Sequence, residues 1–232
     1  MAGETVKTEA ICLDVRPWSK TSHVVSWLTP SGKIATVVKG AMRPKSQFLG
    51  QYDLNYTCEI VYYARQRGET RALRECSPLK MREGLRGDFR ALAVAGYFCG
   101  LVREYAPSGP ECQEWFDALG GALDGICRNS GGRASVGGVV EFELSVLGML
   151  GLKPDLEAEA GAFALRGERS IPVSNEVAAY LRNPAAADGN PQIALDAARA
   201  IGVFYRFHLD SAPEVRRFVL GMVSKNKEGM AT

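Results

Sequence analysis

Residues 22–39 read SHVVSWLTPSGKIATVVK, and their reading decides the fold. Ser22–Thr29 is rich in β-branched and aromatic residues, Pro30-Ser31-Gly32 is a turn signal, and Lys33–Lys39 resumes the β-branched run, which predicts a hairpin. Ahead of it, Ile11, Leu13 and Val15 alternate with Cys12 and Asp14 at a period of two. The clearest strand lies downstream. There Leu54, Tyr56, Cys58, Ile60 and Tyr62 share one face against Asn55, Thr57 and Glu59. Arg65-Gln66-Arg67-Gly68-Glu69 is a polar turn, and Thr70–Cys76 supplies a fifth strand.

Five short strands within about seventy residues fit a small closed barrel, and the OB-fold is the five-stranded barrel of that size. After Pro78 the period changes to helical. Leu85, Phe89, Leu92, Gly96, Cys99, Val102 and Tyr105 recur at steps of three and four, and the run stops before Pro107. Trp115, Leu119, Ala122, Leu123 and Ile126 mark a second helix. Val136–Leu150 marks a third, ended by Gly151 and Pro154. Further helices are expected near Ser174–Leu181, Ile193–Leu209 and Glu214–Val223, the last opened by the capping residues Ser211-Ala212-Pro213-Glu214. Strands first and helices afterwards predict an α+β chain of two domains: an OB-fold barrel over 1–78 and an all-α domain over 79–232.

The chain has 232 residues, 46% hydrophobic and 23% charged, an ordinary globular balance. No stretch approaches about 18 uncharged apolar residues, and Met1–Lys7 carries no apolar signal core, so a cytoplasmic protein away from membranes is expected. Six scattered cysteines, none in a C-x-x-C spacing, read as small buried hydrophobes and not as disulfides or zinc ligands. His23 and His208 lie far apart and near no cysteine, so neither a metal nor any other cofactor is expected. The net charge of +2 conceals an asymmetry. Residues 1–80 carry 12 Lys and Arg against 7 Asp and Glu, and residues 81–232 carry 16 against 19. A basic first third suggests an anionic partner.

Nothing reads as catalytic. The phosphate-cradling glycine motifs, the nucleophile elbow and H-E-x-x-H are all missing from the sequence. His23 sits in a strand without a third triad member, and reads as a hydrogen-bonded strand histidine. Glu141 and Glu143, two apart on a helix, point to different faces, cannot pair for acid–base chemistry and read as solvated surface.

The best binding signal is cationic. Lys33 and Lys39 share parity on one strand, and Gly40-Ala41-Met42-Arg43-Pro44-Lys45-Ser46-Gln47-Phe48 follows with two cations and no acid. A glycine-flanked basic loop at a barrel rim can follow a phosphate backbone. Arg65, Arg67, Arg71 and Arg74 add a second run, interrupted by Glu69 and Glu75. About six cations on phosphates would give single-strand binding a log–log salt slope near −4 to −5. Trp18, Phe48 and Tyr52 could stack bases, but the preferred reading is that they plug the barrel. A different function class stays open beside this one: a protein-interaction scaffold whose basic loop is incidental.

Ala10–Trp18, Leu28-Thr29-Pro30-Ser31-Gly32-Lys33-Ile34 and Val38-Lys39-Gly40-Ala41-Met42-Arg43-Pro44-Lys45-Ser46 resemble the RecO family of recombination mediators. That family shows a strand ending in T-P-x-x-G-K and then K-G-A-R-R-P-K-S. Here Met42 stands where a basic residue is common, and the turn is one residue short. Phe116-Asp117-Ala118-Leu119, Phe142-Glu143-Leu144 and Leu150-Gly151-Leu152 with Pro154-Asp155-Leu156 fit as well. The resemblance implies an OB-fold and a helical domain with no turnover. It also implies binding and annealing of single- and double-stranded DNA, action with RecR and in some lineages RecF, and help in loading RecA onto strands coated by single-strand-binding protein. Lys33, Lys39, Arg43 and Lys45 match the motif's DNA-facing positions. Many relatives carry a four-cysteine zinc module after the L-G-x-x-P-D-L segment. Residues 153–172 contain no cysteine, so a degenerate module without zinc is expected there. The helical domain of the family is associated with the acidic tail of single-strand-binding protein. Arg103, Arg128 and Arg206 are candidates for it, although ordinary helix-surface arginines would look the same.

Overall fold

The computed structural model describes residues 4–64, 70–128, 134–154, 162–164, 170–184, 190–209 and 214–224. The predicted hairpin forms as β2 (Ser22–Thr29) and β3 (Gly32–Val38). Its turn is closed by Thr29, whose hydroxyl donates to the Gly32 carbonyl (2.8 Å) and accepts from the Ser31 N–H (3.2 Å). Gly32 has φ +127°, and a Cβ there would lie 2.9 Å from the Gly109 carbonyl oxygen, so only glycine lets the turn lie against the helical half.

β1 (Thr5–Ser19), β4 (Thr57–Tyr63) and β5 (Thr70–Lys80) complete a closed barrel in the order β1-β2-β3-β5-β4. β1 is long because it serves two partners. Thr5–Ile11 pairs with β4, Ile11–Ser19 pairs with β2, and a register shift between Cys12 and Asp14 turns it from one to the other. β5 runs antiparallel to β4 and parallel to β3, and that parallel pairing closes the OB-type barrel. Inside, the Trp27 indole N–H donates to the Thr36 hydroxyl (2.8 Å) among Ala10, Cys12, Val25, Val38, Cys58 and Ile60.

Two details of the strand reading are corrected. Ala10, Ile11, Cys12 and Leu13 are all buried, so β1 does not alternate between core and solvent. Ala10 and Cys12 line the barrel, and Ile11 and Leu13 pack with Leu28 under the helices. Each of those three outward side chains contributes roughly 1.5–3 kcal/mol relative to exposure, so the barrel and the helical region share a core. Leu54, expected inside, is exposed, and Asn55, expected outside, is buried. Asn55 adopts φ +67°, which asparagine tolerates better than most residues, and the strand starts only at Thr57.

A 3-10 turn over Glu83–Gly87 leads into α1 (Phe89–Tyr105), which Asp88 caps by accepting from the Arg90 N–H (2.8 Å). The buried residues of α1 are Ala91, Val94, Ala95, Tyr97, Phe98, Cys99, Leu101 and Val102. Of the stripe expected from the sequence, Leu85, Cys99 and Val102 are buried, whereas Phe89 and Leu92 are exposed. α2 (Gln113–Arg128) buries Trp115, Leu119, Leu123 and Ile126. α3 (Val136–Met149) starts at Ser135 and ends in a Schellman arrangement. The Leu152 N–H reaches the Leu147 carbonyl (2.8 Å), and Gly151 sits at φ +68°. α4 (Asn175–Arg182), α5 (Pro191–His208) and α6 (Glu214–Ser224) follow. The helical part carries one addition. β6 (Ala162–Ala164) and β7 (Ser170–Pro172) pair antiparallel in the cysteine-free segment that had no assigned element.

Glu143 is a further correction. Glu141 is exposed as expected, but Glu143 is fully buried. Its carboxylate accepts two bonds from Arg216 of α6 (2.7 and 2.8 Å) and one from the Tyr97 hydroxyl (2.6 Å), and Arg216 also donates to the Ala198 carbonyl (2.6 Å). Bonding to Glu143 overcomes burial and holds the Arg216 guanidinium above its ordinary pKa. Glu143 lies within the buried stripe of α3, beside Val139, Val140, Val146 and Leu147 and under α5 and α6, whereas Glu141, Ser145 and Gly148 on the opposite side are exposed.

A cationic barrel end as a candidate nucleic-acid interface

The barrel has two unlike ends. At one, β1, β2 and the Gly32 turn meet the helices. At the other lie the β1–β2 hairpin tip (Ser19 to Ser22) and the chain leaving β3 at Lys39. Gly40, at φ +67°, redirects the chain there. Its N–H donates to the Ser22 hydroxyl (3.2 Å), and the Met42 N–H donates to the Thr21 carbonyl (3.1 Å). Loop and hairpin tip are therefore one hydrogen-bonded unit. Successive tight turns follow, from the Arg43 N–H to Gly40, from Ser46 to Arg43 and from Gln51 to Phe48. Ala41 and Phe48 are buried in the barrel core and pin the loop at both ends, leaving Met42, Arg43, Pro44 and Lys45 exposed between them.

The sequence-derived candidates divide by place. Lys39, Arg43 and Lys45 are exposed on this end. Arg74 joins them, because the Gln47 side chain donates to its carbonyl (3.0 Å), but its guanidinium lies 3.1 Å from Glu75. Arg71, opposite Thr36 in the parallel pairing, covers the Tyr62 ring at 5.1 Å. Arg65 and Arg67 lie outside the described residues. Lys33 shares strand parity with Lys39 but starts β3 at the helical end. There its ammonium donates to the Arg103 carbonyl (2.8 Å), and burial lowers its pKa. Lys33 thus works at the junction between the two halves. Arg103 does too, with a guanidinium nitrogen 3.0 Å from Asp14. Arg128 and Arg206 are exposed in the last turns of α2 and α5.

Two residues of this end escaped the sequence reading. Lys20 stands exposed in the hairpin tip, and Trp18, expected as a barrel plug, is 66% exposed. Phe48 does plug the barrel. Tyr52 is half-buried, its ring against Trp27 (6.1 Å) and its hydroxyl 2.8 Å from His23 Nδ1. One signal would have found Lys20: from Val15 to Tyr52 the chain has no Asp or Glu, while Arg16, Lys20, Lys33, Lys39, Arg43 and Lys45 fall inside that span. Among the described residues no carboxylate pairs with Lys20, Lys39, Arg43 or Lys45.

A second polar cluster joins the halves. Arg82, in the left-handed region at φ +52° with its side chain 3% exposed, donates to Asp124 (2.7 Å), the Asn55 carbonyl (2.6 Å) and Thr57 (3.0 Å). Lys80 reaches the same Asp124 (2.8 Å). Burial alone would raise the Asp124 pKa, but the bonds from Lys80 and Arg82 outweigh it and hold the carboxyl low. Among the described residues no group of three or more His, Cys, Asp or Glu side chains could hold a metal ion, and all six thiols are free. No helix of the described residues is long and apolar enough to cross a membrane.

Residues 1–82 match the family model described as Recombination protein O N terminal, and residues 86–217 match that of Recombination protein O C terminal. The chain belongs to the RecO family. Among its RecO relatives is the DNA repair protein RecO of Anaeromyxobacter sp. (strain Fw109-5), 30% identical over 85% of this chain and 78% of that protein. The DNA repair protein RecO of Alkaliphilus metalliredigens (strain QYMF) is 28% identical over 65% of this chain and 60% of its own length. That of Geobacter metallireducens (strain ATCC 53774 / DSM 7210 / GS-15) is 28% identical over 66% and 62%. These last two RecO proteins are thus matched over less than two-thirds of their length. The cationic barrel end falls within the N-terminal RecO match, and the buried Glu143–Arg216 pair falls within the C-terminal one.

Proposed function

We propose that this chain is a DNA-binding mediator of recombinational repair that grips the phosphate backbone with the free end of its barrel. It binds single- and double-stranded DNA, anneals complementary strands and, with RecR and in some lineages RecF, helps RecA load onto strands coated by single-strand-binding protein. It does so in the cytoplasm and breaks no bond itself. One observation carries the reading. Lys20, Lys39, Arg43 and Lys45 are exposed on an end pinned by Ala41 and Phe48, with no carboxylate paired to them among the described residues. Cations without internal partners keep their full attraction for a polyanion, and a pinned loop loses little entropy on binding. Annealing suits such a surface, because neutralised phosphates let two strands approach each other.

Single-strand binding and strand annealing should be followed for the wild type and a Lys39→Ala/Arg43→Ala/Lys45→Ala variant across salt concentration. Four cations contribute about −3 to the log–log slope, and removing three of them should flatten it by about 2. Wild-type binding that is absent or insensitive to salt would leave the protein-interaction scaffold as the better reading. A variant with an unchanged slope would clear the loop of the role.

A further inference from the structure

We infer that Trp18 is a stacking platform for an unpaired base, and that through it the cationic barrel end distinguishes single strands from duplex. The inference rests on the proposed DNA-binding role and adds to it the recognition of an unstacked nucleobase. Trp18 lies in a register irregularity of β1, between the pairs Pro17–His23 and Ser19–Ser22, and a bulge of that kind re-aims a side chain. The indole is 66% exposed, in contrast to Trp27 and Trp115, which are 0% and 3% exposed. Its neighbours are the cations. Ser19 pairs with Ser22, and His23 pairs with Val38, so Lys39 continues the row that contains the hairpin tip. Two strand spacings separate the backbones of Trp18 and Lys39 by about 10 Å, within joint reach of the two side chains on one nucleotide. Lys20 flanks the indole, and exposed Met42 is bonded through its backbone to Thr21.

A lone exposed aromatic is unremarkable on a protein surface. An exposed indole on the same barrel end as cations without paired carboxylates among the described residues has a definite complement: a ligand with a flat π-face and an adjacent phosphate. Single-stranded nucleic acid offers both at every residue, whereas a duplex hides its base faces in the stack. The phosphates would lie along Lys20, Lys39, Arg43 and Lys45, and one base would turn onto the indole.

All three tryptophans emit, but only Trp18 is exposed, so the red-shifted, solvent-accessible part of the emission, identified as the part lost in Trp18→Phe, reports on it. Oligothymidylate should quench the solvent-exposed component of the emission. A matched duplex should bind without that quenching. Trp18→Ala should lose roughly tenfold or more in oligothymidylate affinity, and Trp18→Phe much less. Duplex affinity and the salt slope should stay unchanged in both variants, and because the side chain is exposed both should fold. If wild type binds oligothymidylate with a steep salt slope while Trp18→Ala binds equally well, the stacking role is wrong and the electrostatic reading stands. Equal quenching by duplex would also overturn it. If wild type binds no DNA at all, the proposed function fails and the stacking role falls with it.

Discussion

Replacing Arg216 with alanine should remove about a third of the stability of a typical domain. The guanidinium makes two bonds to Glu143 and one to the Ala198 carbonyl, so it ties α6 to α3 and α5 at once. Its removal leaves the fully buried Glu143 carboxylate with the Tyr97 hydroxyl as its remaining side-chain partner. Stranding one charge of a buried pair costs about 3–5 kcal/mol. For a chain of this size each kcal/mol lowers Tm by about 2–4 °C, which gives a fall of roughly 6–20 °C. Most of that loss is the penalty of an unpaired buried charge. Glu143→Met/Arg216→Met should therefore be more stable than Arg216→Ala, because it removes both charges and retains apolar volume. Urea titrations and thermal melts of wild type, Glu143→Gln, Arg216→Ala and the double variant would measure this. The reasoning fails if each single substitution costs less than about 1 kcal/mol, or if the double substitution costs the sum of the two singles.

Three further outcomes test the assignment of roles around the barrel. Lys33→Ala should leave the DNA-binding salt slope unchanged and lower stability, since its ammonium is committed to the Arg103 carbonyl at the helical junction; paired binding and melting experiments would separate the two effects. Gly40→Ala should weaken DNA binding and cost about 1–2 kcal/mol in a urea titration, because φ is +67° there and a Cβ would meet the Arg43 side chain at 3.2 Å. The Asp124 carboxyl is held below its ordinary value of 3.8, so its ties to Lys80 and Arg82 stabilise the fold fully above about pH 4 and are lost as the pH falls through the lowered value. Asp124→Asn should accordingly be less stable than wild type near neutrality, and the difference in urea midpoint should narrow as the pH falls below 3.8.

Elements set by contacts between near neighbours in sequence are legible in the sequence itself. The β2–β3 hairpin, the end of α3 at Gly151 and the Ser174 start of α4 follow from turn and cap chemistry acting over a few residues. The placing of Arg43 and Lys45 on a loop directly after the strand that carries Lys39 follows in the same way, because Gly40 and Pro44 mark the turns and no acid interrupts the cations.

Long-range contacts overrode period counting elsewhere. β1 loses its alternation because helices cover its outer face. The expected apolar stripe of α1 holds at Cys99 and Val102 but fails at Phe89 and Leu92, because the chain first makes a 3-10 turn and restarts at Asp88. Glu143 is buried because α6, more than seventy residues away in sequence, brings Arg216 to it.

By itself the sequence determined a five-stranded basic barrel followed by helices, since strand period, turn residues and charge are properties of short stretches. Only the tertiary structure decided which cations are free. Lys33 and Lys39 are equivalent by parity, yet barrel closure puts one against the end of a helix and leaves the other exposed at the opposite end of the barrel. That choice depends on which ends of the strands the helices cover, and no local pattern encodes it.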